Sequence, residues 1–270
     1  MEIFLLYLGL GAIAGLISGL FGLGGGVVIV PILIFTFSAQ GFSADVLTHM
    51  AIGTSLATIV ITSISSVTAH HKRGAVLWPV AFWLTPGICV GAALGAIFAV
   101  SITGPVLQLG FGIFLCLVAF AMGLSLQPSG MSAMPGPVGK TFVGSVIGFV
   151  SSVFGIGGGS LSVPYFSWVQ VSMKNAVATS AACGLPIAVS GAIAYALQGA
   201  GREGLPEGAL GFVYVPAFVG IVIASTVFAK MGARFAHQLP SDLLKKGFAV
   251  LLLVIGLRFV WRNASLMFLG

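Results

Sequence analysis

The chain has 270 residues, 58% of them hydrophobic and only 6% charged, with a mean hydropathy of +1.16 and a formal net charge of +6. Soluble domains carry about 25% charged residues, so a water-exposed surface cannot be built from this composition. A soluble globular enzyme, a disordered chain and a disulfide-stapled secreted module are all excluded, which leaves an all-α polytopic membrane protein. Cys89, Cys116 and Cys183 lie in apolar runs with no CxxC or Cys/His cluster, so no disulfide framework and no metal site is expected. The basic residues fall mostly at the ends of apolar segments, where membrane proteins place cytoplasmic anchors, and a nucleic-acid partner is not expected. Met1-Glu2-Ile3 lacks the basic start of a cleaved signal peptide.

A membrane crossing takes about 20 apolar residues. Eight apolar segments follow one another at about 3–37, 46–70, 76–100, 104–126, 139–170, 175–198, 208–230 and 241–262. The first, as one helix, would run about 52 Å, well beyond a hydrocarbon core of ~30 Å. Gly22, Gly24, Gly25 and Gly26 near its middle and Pro31 beyond them predict a break there. In the second segment Thr54, Thr58, Thr62 and Ser66 recur at spacing four and form one polar stripe, while Asp45 and His49 flank its start. The third carries Gly87, Gly91 and Gly95, a small-residue packing seam like Gly11, Gly15 and Gly19 in the first and Gly144 and Gly148 in the fifth. After the fourth comes a Pro/Gly/Ser-rich linker at 127–138. The fifth is interrupted at Gly157, Gly158 and Gly159, and the sixth opens with Lys174 and Asn175 before Thr179, Ser180, Cys183 and Ser190.

Residues 15–32 and 148–165 are related at a constant offset of 133, with nine of eighteen positions identical, from Gly15/Gly148 to Pro31/Pro164. Weaker echoes continue in register: Thr54-Ser55 with Thr179-Ser180, Gly74-Ala75 with Gly208-Ala209, and Leu107 and Gly110-Phe111 with Leu244 and Gly247-Phe248. The chain therefore divides into two homologous halves, 1–126 and 139–270, of four segments each. Charge placement bears on their orientation. If the first segment of each half crosses once, the eleven Lys and Arg split six to five; if both are re-entrant hairpins, the split is eight to three. The second arrangement obeys the positive-inside rule. It also leaves three crossings per half, so the halves are inverted relative to one another, with both termini periplasmic.

Irregular backbone at membrane depth is tolerated only where protein or a water-filled cavity satisfies it, and symmetry-related broken helices point to a transporter's binding site. The half-helices after the two glycine runs present free N–H groups and a positive dipole end, and glycine lets a ligand reach those amides. Such an end suits an anion. The candidate substrate-binding set is Gly24, Gly25, Gly26, Pro31, His49, Thr54, Ser55, Gly157, Gly158, Gly159, Ser160, Pro164, Thr179 and Ser180. Within the polar stripe, Thr54-Ser55 and Thr179-Ser180 rank first because they recur in both halves. No carboxylate lies mid-membrane, so an acidic proton relay is not expected.

The two Phe-Gly-x-Gly-Gly-Gly motifs followed by a Pro-terminated apolar run, Phe21–Pro31 and Phe154–Pro164, with Gly53-Thr54-Ser55 after the first, resemble the sulfite exporter TauE/SafE family of bacterial membrane transporters. The resemblance covers essentially the whole chain. It implies an inner-membrane secondary transporter of small sulfur-containing anions such as sulfite or organosulfonates. No cofactor is implied, and the coupling ion and a homodimeric state are left open. Ala178-Thr179-Ser180 replaces Gly53-Thr54-Ser55 in the second half, so the two halves of the site need not be equivalent. Two other readings stand beside it: an anion channel lined by glycines, and an intramembrane acyltransferase using His237 and Asp242. The charge split yields a topology prediction. In a cysteine-free background, a cysteine placed within 70–75 is expected to be shielded from membrane-impermeant maleimide in intact cells; labelling from outside would reject the orientation.

Overall fold

A computed structural model describes residues 2–21, 25–123, 134–236 and 241–268. They form ten helices, α1 (Glu2–Phe21), α2 (Gly26–Ala39), α3 (Ala44–Lys72), α4 (Trp78–Val100), α5 (Gly104–Gly123), α6 (Pro137–Phe154), α7 (Gly159–Trp168), α8 (Met173–Gln198), α9 (Val215–Ala236) and α10 (Ser241–Phe268). A two-residue antiparallel ribbon, β1 (Ala209–Leu210) with β2 (Val213–Tyr214), precedes α9, so the predicted segment at 208–230 opens with a turn rather than a helix. Among the described residues, seven helices are long and apolar enough to cross a membrane: α3, α4, α5, α6, α8, α9 and α10. Phe82, Leu117, Phe120, Phe142, Val254 and Trp261 are exposed on the outside, where acyl chains rather than water would cover them.

Both glycine runs break their segments as the spacing predicts, and the returning helix doubles back. The Tyr7 hydroxyl near the start of α1 donates to Gln40 Oε1 just past the end of α2, at 2.8 Å, while Gly25 lies against Ser18 near the end of α1. α1 and α2 thus form a helical hairpin that enters and leaves at one end of the molecule. α6 and α7 do the same from the other end. α6 runs parallel to α4, with Gly87, Gly91 and Gly95 facing Thr141, Ser145 and Phe149, and α7 reverses direction to lead into the start of α8. The prolines do not make these breaks. Pro31 and Pro164 sit inside α2 and α7, each at the sixth helical position, where the missing N–H weakens one bond without ending the helix. The αL backbone of Gly155 (φ +66°) closes α6, and Gly25 (φ +72°) opens α2; a side chain would strain either position.

The remaining helices are set by ordinary signals. Ser43 caps α3 and Ser172 caps α8, each accepting a first-turn N–H at 3.4 Å, and Pro occupies the first turn of α4 and α6. α3 and α8 pack together in the centre, α5 packs on α10, α1 on α9 and α4 on α6. The two seams correspond residue by residue. Gly11 and Gly15 face the backbone of Ile221 and Ser225, and Gly144 and Gly148 face Leu84 and Ile88. A buried polar chain ties α3, α5 and α10: Gln108 donates to Thr48 at 2.7 Å, and Asn263 donates to Gln108 and to the Phe259 carbonyl. With α3 leading from Ser43 to Lys72, one end of the bundle carries Lys72, Arg73, Lys140, Lys174, Lys230 and Lys246, and the other carries Arg202, Arg258 and Arg262.

The seams are backbone against backbone, so their tolerance to a side chain can be measured. A Cβ at Gly91 overlaps the Ser145 carbonyl, whereas one at Gly110 meets only the edge of the Phe154 ring at 3.7 Å. Gly91→Val is therefore expected to lower the thermal midpoint of the purified protein by roughly 10 °C or prevent its recovery, and Gly110→Ala to leave it within about 2 °C.

Candidate functional site

The two hairpin tips meet. A Cβ added at Gly26 would lie 2.6 Å from the Gly155 carbonyl oxygen and 2.9 Å from Ile156 Cα, and Gly155 itself packs on Val30 and Ile52. These contacts fall near the middle of α3, about 12 to 22 Å from its first residue at 1.5 Å per residue. On the basic side of the meeting point opens a cavity of about 520 Å³. Gly25, Gly157, Gly158 and Gly159 form its deep end. Its walls carry hydroxyls from Ser18 on α1, Thr62, Ser63 and Ser66 on α3, Ser180 on α8, and Ser225 and Thr226 on α9. Toward the basic end it is lined by His70, Arg73 and Lys230, and among the described residues no Asp or Glu lines it.

The cavity presents hydroxyls and helix-end amides at its deep end and carries its basic side chains toward the other end. No side chain caps α7 at Gly158, and the Gly158 carbonyl takes the N–H of Ser162 at 2.8 Å. The amides of Gly159, Ser160 and Leu161 therefore precede the first intrahelical bond and carry the positive end of the helix dipole. Ser180 is buried and lines the cavity, and its hydroxyl has no hydrogen-bond partner; nor do those of buried Ser160 and Ser162. Buried hydroxyls without partners are uncommon in folded proteins; those of Ser151, Ser152 and Tyr165, away from this cavity, share the feature. The α2 terminus is different, because Gly26 is pressed against Gly155 and Ile156. The free helix-end amides at the cavity are thus supplied mainly by the second hairpin.

Of the predicted set, Gly25, Gly157, Gly158, Gly159 and Ser180 are brought together in the cavity. Ser160 sits in the adjoining first turn of α7. Gly24 lies outside the described residues, as does His237. Pro31 is buried within α2, and Pro164 is exposed on α7. Ser55 is occupied in holding the tips, donating to the Gly155 carbonyl at 2.9 Å. Thr54 and Thr179 do not line the cavity. Thr54 Oγ1 accepts the Tyr214 N–H at 2.9 Å, and Thr179 Oγ1 accepts the Leu77 N–H at 3.0 Å. Each ties the residue just before α9 or α4 to the central helix of the other half. The same hydrogen bond is thus made twice, once in each direction between the two halves. His49 stands near the other end of α3, in a second hollow of about 520 Å³ with Asp45, Ser101 and Arg202. Missed from the sequence were Ser18, Ser63, Ser225 and Thr226 in the walls and His70, Arg73 and Lys230 toward the basic end. The lower half of the Thr/Ser stripe, Thr62 and Ser66, was the usable signal for them.

Comparison with known proteins agrees with this architecture. The family model described as "Sulfite exporter TauE/SafE" matches residues 7–259. A "Probable membrane transporter protein" of Haemophilus influenzae is 37% identical over 257 residues, covering 94% of this chain and 96% of its own. "Probable membrane transporter protein MJ0441" of Methanocaldococcus jannaschii is 30% identical over 250 residues, covering 92% and 91%. "Probable membrane transporter protein YunE" of Bacillus subtilis is 27% identical over 280 residues, covering 96% and 98%. No solved structure matches. A lipid-embedded helical chain with two meeting hairpins, matched by this family model over nearly its whole length, belongs to the sulfite exporter TauE/SafE family of membrane transporters.

Proposed function

We propose that this membrane transporter moves small sulfur-containing anions, such as sulfite or organosulfonates, by alternating access at the meeting point of its two hairpins. The observation that carries this reading is the cavity end where the uncapped first turn of α7 and the unpartnered Ser180 hydroxyl stand together. A pyramidal or tetrahedral oxyanion has several acceptor oxygens for such donors, and fixed dipoles replace part of its hydration shell without the tight grip of a buried lysine. Arg73 and Lys230 toward the basic end raise the local anion concentration without holding the anion at the bottom.

The repeat supplies the motion. The two seams and the two threonine latches are each duplicated between halves, and in every case join one half to the other. This favours two inverted repeats, 1–126 and 139–270, that can exchange environments by rocking. The buried Val30, Ile52 and Ile156 beyond the glycines separate the cavity from the other end, which favours a carrier over an open pore. The positive-inside rule assigns the basic end to the cytoplasm of the inner membrane and both termini to the periplasm.

The test is flux of labelled sulfite and organosulfonates into proteoliposomes. Saturable, mutually competing uptake is expected; flux linear with concentration, with unitary currents, would mean a channel. Ser180→Ala is expected to raise KM about ten-fold, the size of one charge-assisted hydrogen bond of about 1.5 kcal/mol, with unchanged thermal stability. Thr54→Val is expected to do the reverse: it strands the Tyr214 N–H and lowers stability by about 1–3 kcal/mol while KM per folded molecule stays near wild type. Equal KM for Ser180→Ala and the parent would remove Ser180 from the site. A double variant, Arg73→Gln with Lys230→Gln, is expected to reduce uptake at low ionic strength several-fold and to flatten its salt dependence; an unaltered salt profile would show that these cations do not steer the anion.

A further inference from the structure

At the end opposite the anion cavity, His49 makes a set of contacts that a neutral imidazole cannot satisfy. The side chain is buried, 2% exposed. Nδ1 lies 3.2 Å from the Asp45 carbonyl oxygen, and Nε2 lies 3.1 Å from the carbonyl oxygens of both Ala99 and Ile102. All three partners are acceptors. A neutral ring has one N–H and one lone pair, so it would aim a lone pair at a carbonyl; only the ring protonated on both nitrogens donates on both sides. Ala99 is in the last turn of α4, where the helix dipole also favours a cation. The ionisable side chains that share the hollow are Asp45 on the same helix and Arg202 and Glu203 after α8; α4 and α5 bring none to its lining. The Phe212 ring stands beside the imidazole at 5.3 Å, with Arg202 over it at 5.6 Å.

The consequence reaches the anion cavity through packing. His49 fastens α3 to the corner between α4 and α5, and α4 carries the second hairpin through Gly87, Gly91 and Gly95 against α6. We propose that His49 is a proton-binding site whose doubly protonated ring holds the α4–α5 corner closed, making a proton the ion that biases which end of the transporter is open. Its link to transport rests on the anion-carrier reading; the proton site itself does not. A proton bound at His49 stabilises the arrangement seen here, with the α4–α5 corner fastened to α3 and the cavity lying on the basic side of the hairpin tips. Loss of the proton removes one donor, frees the corner, and favours opening toward the hollow.

Two measurements test this on the full-length protein in nanodiscs. In a variant keeping His49 as its one histidine (H70Q, H71Q, H237Q), nitrogen NMR of the labelled ring is expected to show both nitrogens protonated at the acid end of a titration between about pH 5 and 8, and a neutral tautomer at the alkaline end. A neutral tautomer throughout would overturn the proposal. Separately, Ala99→Cys, at a corner side chain that is 0% exposed in this arrangement, in a background with Cys89, Cys116 and Cys183 replaced by Ala reports on the corner. Its labelling rate, normalised to the unfolded protein at each pH, is expected to rise at least about three-fold over the same range and to become high and flat when His49→Gln is added. A flat profile before that change, or a slope that survives it, would reject His49 as the switch. Saturable anion flux alongside a flat profile would reject the proton site and leave the carrier reading standing; a steep profile without such flux would do the opposite.

Discussion

Everything in this molecule follows from one constraint: a helix end inside a bilayer has backbone groups that lipid cannot satisfy. Two helices end and two begin near the middle of α3, and each needs an answer within the protein. At the end of α6 the carbonyl side is answered internally. Gly155 takes the left-handed conformation that lets its own N–H and that of Ile156 return to the Ser152 and Ser151 carbonyls, and its carbonyl receives the Ser55 hydroxyl. The amide side is not answered by any side chain at α7. That difference leaves a positive, donor-rich surface at the bottom of a cavity.

The same constraint explains why the halves are interlocked rather than side by side. Each hairpin is too short to bury itself, so α1 lies on α9 and α6 on α4, with glycine letting the backbones touch. Without a strong hydrophobic drive between helices in lipid, close packing and interhelical hydrogen bonds hold the pair. The Thr54 and Thr179 latches add one hydrogen bond at the mouth of each unit, to a backbone N–H just before α9 or α4. A rocking motion that keeps seams and latches intact would carry each hairpin with the long helix of the other half.

How much of this was legible in the sequence differs by feature. The two breaks, the seams and the eight-to-three charge split were legible because each is local or a count along the chain. Of the two glycine runs, Gly25, Gly157, Gly158 and Gly159 line the cavity, while Gly26 serves close packing against Gly155 and Ile156. The hydroxyls were harder. Thr54 and Thr62 look alike along α3, yet one faces a backbone N–H 160 residues away and the other the cavity. Thr54 and Thr179 recur because the same hydrogen bond to a backbone N–H is made in each direction between the halves. Ser180 and Ser55 make the same point in reverse: equivalent in the repeat, one is unpartnered and the other holds a hairpin tip. Arg73 and Lys230 read as ordinary anchors until helix directions place them around one opening.

That placement of charge bears on how such a site works. A cation at the floor would bind an anion strongly from either side and slow its departure, and its own burial would need compensation. Here full charges are confined to the wider part of the cavity, and the deep end relies on amides and hydroxyls. Dipolar donors lose less when a solute leaves, because they carry no net charge to be stranded in a low dielectric. In the proposed alternating carrier, the two sides would differ in the charge of their vestibules while sharing one neutral floor. Affinity at the floor can stay modest, and the bias between the two openings can be set by groups far from it, at the corners where the long helices turn.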